Sequence, residues 1–377
     1  MSTTHYNVCK EKSISMGSPN QTMVNTMVGG IVVMMSILAI SVSSPEIQIT
    51  TDPYDQEHPA IYKDIVVWED KRNGNSDIYG YNLETGEMFQ ITTSLEHQWS
   101  PAIYKDIVVW EDKRNGNLDI YGCNLLTKEE FQITTDLHDQ FAPKIYGDTV
   151  VWIDERHGNR AIYGYNLTAK EEFRITTDPS GKEFPVIYED IVVWQDWRNC
   201  EDNTHCYNTD IYGYNLATKE EFQVTTHPRN QCIPAIYENI VVWMDDRNNN
   251  ADVYGYDFLA EEEFRITKNS SDQDPAALYE NIVIWEDERH GAKDIYGYNL
   301  LTKREFQITT DPEYQYAAAL YGYFVVWTDK RNGNKDIYGY DLSTSVLVLP
   351  EDGTCLGTLL VTLLVSGGVA AYLRKSV

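Results

Sequence analysis

Seven tryptophans keep time along this chain. Trp68, Trp110, Trp152, Trp194, Trp243, Trp285 and Trp327 each open a near-copy of the phrase "WEDKRNGNSDIYGYNL", and the interval is 42 residues at every step but one, where it is 49. A fixed period of this length means a repeat architecture, in which one supersecondary unit stacks on copies of itself because it cannot bury its apolar faces alone. The longer interval follows Trp194 and holds an insertion around "CEDNTHC".

One unit, taken from Pro59, reads as four apolar runs: "PAIY", "DIVVWED", "DIYGYNL" and "MFQIT". Between the second and third lies "KRNGN", with Asn73-Gly74 at its tip. Asn-Gly between apolar runs predicts a hairpin with a type I′ turn, which needs positive φ at both central residues. No unit shows apolar residues at i, i+3, i+4 and i+7, which excludes helical repeats. Four antiparallel strands per period predict a β-propeller blade. Seven units predict an all-β, seven-bladed β-propeller of four-stranded blades.

Ile65, Val66, Val67 and Trp68 are apolar in succession, as a strand covered on both faces requires. A glycine recurs in the third run, at Gly80, Gly122, Gly164, Gly213, Gly255, Gly297 and Gly339. Glycine weakens a strand unless something approaches closely, and the next blade is the expected neighbour. An open ring would leave an edge strand exposed. "EIQIT", Glu46–Thr50, matches the fourth run, whereas the last copy, "SVLVLP", carries Pro350 where an isoleucine belongs. The N-terminal segment is therefore expected to supply the outer strand of the seventh blade.

Both ends of the chain are apolar. "MVGGIVVMMSILAISV" carries no charge, follows Lys10 and Lys12, and precedes small residues. It reads as a secretory signal or signal anchor, with Met16 or Met23 as shorter alternative starts. Leu356–Leu373 is uncharged and ends on Arg374 and Lys375, which predicts a transmembrane helix with its basic end in the cytoplasm. The preceding "LPEDG" resembles the tails that surface-sorting transpeptidases process. The expected organisation is a signal or anchor over 1–45, the propeller over 46–350 and a membrane anchor over 351–377. This places the propeller outside the cell, tethered to the membrane.

Net charge is −28, with 58 acidic against 30 basic residues, which excludes a nucleic-acid partner and fits a solvated extracellular surface. The six cysteines form no CxxC pair, which argues against a zinc ribbon. Cys200 and Cys206 bracket the insertion and are expected to close it as a disulfide; a metal held with His205 is the lesser alternative. No metal or cofactor is expected. Sequons stand at Asn166 and Asn269; that at Asn20 precedes the first apolar segment.

An aspartate and an arginine recur after every tryptophan: Asp70/Arg72, Asp112/Arg114, Asp154/Arg156, Asp196/Arg198, Asp245/Arg247, Asp287/Arg289 and Asp329/Arg331. A catalytic group is needed once, so a group present in all seven units reads as structural, the carboxylate taking turn N–H groups and the guanidinium. Asp77 also recurs, except for Ala161, and the Asp/Asn spacing is not that of an EF-hand. Gln56, Gln98, Gln140, Gln231, Gln273 and Gln315 each precede the tyrosine of the first run by six residues, with Lys182 breaking the series. They are expected in the loop entering the innermost strand, ringing one mouth of the channel. The units differ most in this loop, and Trp99, Phe141, Phe184 and Tyr316 place aromatics there, either as platforms for a partner or as caps on the channel packing. A constant scaffold with one variable face suggests a recognition surface. His58, His97, His138 and His227 fall in the same loops and read as solvated.

"VVWEDKRNGNSDIYGYNL" resembles the TolB-type propeller repeat, with its tryptophan, Asp-x-Arg, Asn-Gly turn and "DIY". Over Glu46–Pro350 the chain is similar in particular to surface proteins of methanogenic archaea built from such repeats between a signal and a C-terminal anchor. The resemblance implies a propeller and a place in the envelope. The bacterial namesake is a soluble periplasmic protein, so the C-terminal span departs from it and no role in the Tol system follows. The expected function is non-enzymatic: a cell-surface module binding an envelope protein or surface glycan, in adhesion or envelope organisation. A structural surface lattice is one alternative. A glycan hydrolase or lyase is the other, and it would need carboxylates such as Glu57, Asp139, Glu183 and Asp274 to meet at the mouth. No GxSxG occurs.

Overall fold

The computed structural model describes residues 46–200 and 208–344. The two apolar terminal segments, the "LPEDG" tail, Asn20, His205 and Cys206 lie outside the described residues. Among the described residues no helix is long and apolar enough to cross a membrane. Cys200 is disulfide-bonded.

The first blade shows why the repeat folds as it does. After the short β1 (Ile47–Gln48) come β2 (Gln56–Tyr62), β3 (Ile65–Asp70), β4 (Asp77–Asn82) and β5 (Glu87–Gln90). These pair in sequence order as one antiparallel sheet, and the other units do the same, giving seven four-stranded sheets. The last, made of β26 (Gln315–Tyr321), β27 (Phe324–Asp329) and β28 (Asp336–Asp341), takes β1 as its fourth strand. Ile47 pairs with Gly339 and Gln48 with Tyr338. The two ends of the domain are thus clasped in one sheet, and the ring is closed.

Seven apolar clusters fill the seven blade-to-blade interfaces, each centred on one of the repeat tryptophans, all fully buried. Val66 and Trp68 pack toward the seventh blade, and Val67 and Ile78 toward the second. Buried apolar faces of this kind are the main stabilising term of the fold.

Each tryptophan N–H donates to the aspartate two residues on, as in Trp68 Nε1 to Asp70 Oδ2 at 3.0 Å. The buried Asp70 also accepts from Arg72 N and Nε through Oδ1, and from Arg72 Nη2 through Oδ2. Arg72 then covers the Tyr79 ring at 4.4 Å. In the second blade Arg114 reaches on to Glu130 of the outermost strand, and in the seventh Arg331 finds Glu46 instead. One motif therefore ties the second, third and fourth strands of a blade, and the N-terminal strand satisfies it in place of the missing copy.

Two local expectations are corrected. The close neighbour of each strand glycine is not the next blade but a phenylalanine of the same sheet: Gly80 pairs with Phe89, and a Cβ there would lie 2.6 Å from that ring. In the seventh blade, where Ile47 stands opposite Gly339, Phe324 of the second strand supplies the ring instead. The hairpin turn is also not type I′. Gly74 N donates to Lys71 O, and Gly74 takes φ +93° while Asn73 is not among the positive-φ residues. The glycine is thus the last residue of the turn, where an open left-handed site is needed.

At Gly297 a Cβ would meet Phe306 at 2.5 Å. Gly297→Ala is expected to cost about 1–3 kcal/mol by overpacking, with most of it recovered by adding Phe306→Leu. Urea denaturation of the two variants checks this.

Candidate functional site

Strand direction sorts the surface into two ends. Loops 50–55 and hairpins 70–77, with their counterparts, lie at one end, which we term the mouth; turns 62–65 and 82–87 lie at the other. At the mouth every innermost strand breaks its register, between Glu57 and Ala60 in the first blade and at the same place in the rest except the sixth, where Pro275 still pairs and the break falls between Pro275 and Ala277. The residue in the bulge takes positive φ in six blades: His58, Ser100, Ala142, Phe184, Ile233 and Ala317. This geometry is strained for a β-branched residue such as Ile233. It re-aims side chains at the rim, a common use of a bulge. The preceding blade holds the bulge in place: Ser100 N donates to Glu69 Oε1, Ala142 N to Glu111 Oε1, Ala317 N to Glu286 Oε1 and His58 N to Thr328 Oγ1.

The position of Glu57 is not constant around the ring: Glu57, Trp99, Phe141, Glu183, Cys232, Asp274 and Tyr316 make three carboxylates, three aromatics and a cysteine. Each of these carboxylates has a cation. Glu57 is bound by Lys71 and Lys335, Asp274 by Lys293 at 3.1 Å, and Glu183 by Arg160. Burial alone would raise the Glu57 pKa, but the two lysines outweigh it and the net shift is downward. Asp139 accepts from Leu118 N instead. These four acids are engaged separately rather than gathered for acid–base work. Among the described residues no group of three or more His, Cys, Asp or Glu is placed to hold a metal ion.

The aromatics are at the mouth with one face covered. Trp99 stacks on His97 at 5.0 Å, Arg160 lies over Phe141 at 5.3 Å, and Lys330 over Tyr316 at 5.5 Å. Phe184 is 46% exposed. The His58 pKa is raised by its hydrogen bond to Glu69. Burial pushes the Cys232 thiol up to about 12. Of the sequons, Asn269 lies at the mouth end and Asn166 at the opposite end.

The glutamines are not exposed at the rim. Gln56 and its five counterparts are fully buried at the first position of the innermost strand, each opposite the repeat aspartate. Each amide N–H donates to the carbonyl two residues back, as Gln56 does to Tyr54 O, while the amide oxygen has no protein partner. They hold the mouth loop from beneath. Lys182 does this work in the fourth blade, its buried ammonium bonding Ser180 O at 2.7 Å and Asp178 Oδ1 at 3.0 Å.

Three features of the channel were missed from sequence. Lys71, Arg160, Lys293 and Lys335 come from the hairpins, so the variable surface includes two hairpin positions as well as the loops; the differing phrases "DKRNGNSD", "DERHGNRA" and "DERHGAKD" carry that signal. The second is a closed ring of tyrosines, Tyr62, Tyr104, Tyr146, Tyr188, Tyr237, Tyr279 and Tyr321, at the far end of the innermost strands. Centroids of successive rings are 4.6 to 5.0 Å apart and their planes differ by 41 to 57°. That angle is close to a seventh of a turn, roughly 51°, as expected when every ring plane runs along the channel axis. Burial, with the neighbouring phenols, pushes Tyr62 and Tyr321 up to about 12. The third is Lys144, where "PAIY" becomes "PKIY".

A cleft of about 590 Å³, lined by Tyr188, Glu189, Phe222, Glu238 and Phe258, opens at the end away from the mouth. Similar grooves recur between the second and third and between the fifth and sixth blades, so the cleft follows from how blades pack.

No protein-family model matches the chain, and no curated protein matches it. Solved structures do. The β-propeller domain of the trilobed protease from Pyrococcus furiosus, described as having an open velcro topology, aligns at a TM-score of 0.63 and 12% identity, over 80% of this chain and 100% of that one. Oligogalacturonate lyase from Vibrio parahaemolyticus aligns at 0.57 and 13% identity, over 78% of this chain and 93% of that one. TolB from Acinetobacter baumannii overlaps 58% of this chain at a TM-score of 0.45 and 16% identity, and the chain spans 55% of its length. The TolB overlap is too partial to carry an argument. At these identities the likeness establishes the propeller fold and nothing finer.

Proposed function

We propose that this protein is a non-enzymatic recognition module held outside the cell by its apolar ends, and that the channel mouth binds an envelope protein or a surface glycan. The observation that carries the reading is the contrast between scaffold and mouth. Tryptophan, aspartate, arginine and tyrosine are the same in all seven blades, whereas the position of Glu57 varies around the ring among carboxylate, aromatic and cysteine. A surface that varies on a rigid frame is where partners are chosen. Half-covered aromatics beside paired charges suit sugar rings or the buried centre of a protein interface. An envelope setting is what the resemblance read from the repeat phrase would imply, and it is part of this proposal. The oligogalacturonate lyase among the structural neighbours makes a glycan-cleaving enzyme the second reading, but Glu57, Glu183 and Asp274 are each matched to a cation here.

The test is a glycan array and an envelope-binding assay with the full-length protein. Saturable binding is expected, weakened by about 2 kcal/mol, roughly thirtyfold, in Trp99→Ala and Phe184→Ala, as for aromatic anchors elsewhere. Lys63→Ala and Lys105→Ala, at the opposite end, should leave it unchanged. Equal losses at both ends would sink the assignment of the mouth. Concentration-dependent self-assembly without partner binding would favour a surface lattice.

A further inference from the structure

At the end away from the mouth, the first two blades cover their aromatic rings with lysines. Lys63 and Lys105 follow Tyr62 and Tyr104 of the tyrosine ring and place Nζ 5.8 and 5.2 Å from those centroids. Lys128, from the outer turn of the second blade, lies 5.1 Å from the centroid of Phe89 in the first. Lys170 and Lys303 line the grooves at two later interfaces, with Phe131 and Phe264. An ammonium over a ring face is held by the ring's quadrupole.

The cleft between the fourth and fifth blades keeps the rings and reverses the charge. Glu189 and Glu238 follow Tyr188 and Tyr237 where Lys63 and Lys105 follow their tyrosines, and Glu261 stands at the position of Lys128, Lys170, Lys219 and Lys303. The cleft also gains an aromatic. Phe258 replaces the leucine of the other six blades and meets Phe222 edge-on, at 5.6 Å and 88°. Among the described residues no lysine or arginine lies over Tyr188, Phe222 or Phe258, and the three glutamates have no ion pair and no side-chain hydrogen bond. These glutamates are exposed, so the fold does not require a partner for them. Their effect is to make an aromatic-lined cleft of about 590 Å³ negative.

We propose that this cleft binds a small quaternary ammonium cation, its methyl groups against Phe222, Phe258 and Tyr188 and its charge facing Glu189 and Glu238. The ligand supplies from outside the cation that lysines supply at other interfaces. A quaternary ammonium is weakly hydrated and suits aromatic walls, whereas a primary ammonium holds its water more tightly. Among the described residues no group of three His, Cys, Asp or Glu is placed to hold a metal ion, so the acids of the cleft do not form a metal site. The cleft lies at the far end from the mouth and does not rest on the partner proposed there.

The probe is choline, observed through its methyl signal by saturation-transfer NMR with the full-length protein. Wild type is expected to give saturable binding. The uncharged analogue with carbon in place of nitrogen should bind about tenfold more weakly, and an equal concentration of ammonium chloride should not displace choline. Glu261→Lys installs the residue of four other blades and is expected to cover Phe222 from within, weakening binding about tenfold. Phe258→Leu installs the residue of six other blades, so it should fold normally, and should weaken binding about fivefold. No saturable signal in wild type, equal binding of the uncharged analogue, or unchanged binding in either variant would overturn the proposal. So would displacement by ammonium, which would reveal ordinary counter-ion attraction to an acidic surface.

Discussion

Deleting Glu46–Thr50 is expected to destabilise the whole propeller, not merely its last strand. Five residues make the closure. Ile47 and Gln48 pair with β28, and Ile49 N and Thr50 N both donate to Ile337 O, at 2.8 and 3.3 Å. Thr50 Oγ1 accepts from Ile337 N, and Glu46 accepts from Arg331 Nη1 at 2.5 Å. Ile49 is buried with Ile61, Trp68, Val326 and Ile337 at the interface of the first and seventh blades. At about 1 kcal/mol per hydrogen bond and about 2 for the isoleucine, the loss is about 5 kcal/mol or more. That is comparable with the entire stability of many domains. It would also bare the edge of β28, a template for aggregation. A urea titration followed by circular dichroism should show a large fall in midpoint or no cooperative transition. A midpoint within error of wild type would mean that the ring does not need its clasp.

The second large effect is expected in the fourth blade. Asp196 carries the same load as its six counterparts, with Trp194 Nε1 at 2.8 Å and Arg198 Nη2 at 2.7 Å on Oδ2, and it also lies 3.5 Å from the buried Lys182 ammonium. Asp196→Ala would leave one buried cation and the indole N–H short of their partner, with the Arg198 guanidinium unpaired on its inner side. Breaking a buried pair in this way costs about 3–5 kcal/mol. Asp112→Ala faces Gln98 rather than a lysine and should cost less. Adding Lys182→Gln to Asp196→Ala should recover the difference, which urea midpoints of the three variants will show. If Asp196→Ala and Asp112→Ala are equally damaging, Lys182 is not paired as described.

Acid should expose the same cluster. Burial would raise the Asp178 carboxyl, but the Ser180 hydroxyl and N–H together with Lys182 hold it well below the usual carboxylate range. A carboxyl depressed on folding stabilises fully above its unfolded pKa and loses that contribution as pH falls through the folded value. Lys182→Gln is therefore expected to be less sensitive to acid than wild type below about pH 4.

The repeat made the architecture legible. Seven tryptophans at one period, continuous apolar runs, and an orphan "EIQIT" at the start fix the blade, the number of blades and the closure. What repetition hides is which neighbour a conserved-looking position touches. Gly80 needs an aromatic ring beside it, and Phe89 lies nine residues on in the same unit, but sequence does not say whether that ring reaches across its own sheet or into the next. Gln56 read as a rim residue because it borders a polar loop. A bulge after Glu57 shifts the register, and the strand already starts at Gln56, which turns its amide inward against Asp70. The tyrosine ring was written seven times in "PAIY" and its variants and still went unread, since only closure brings seven separate strands to one axis. Lys144 was legible as a departure from that phrase, but without the channel it had no setting.

Whether the variable mouth is the recognition surface can be read residue by residue. The measurement is hydrogen exchange of the full-length protein with and without isolated envelope material or a bound glycan. Added protection is expected in the loops and bulges around Glu57, Trp99, Phe141 and Phe184 and in the hairpins carrying Lys71, Arg160 and Lys293. Protection at the opposite end, around Lys63, Lys105 and Glu238, or none above the unbound protein, would contradict a mouth built for a partner.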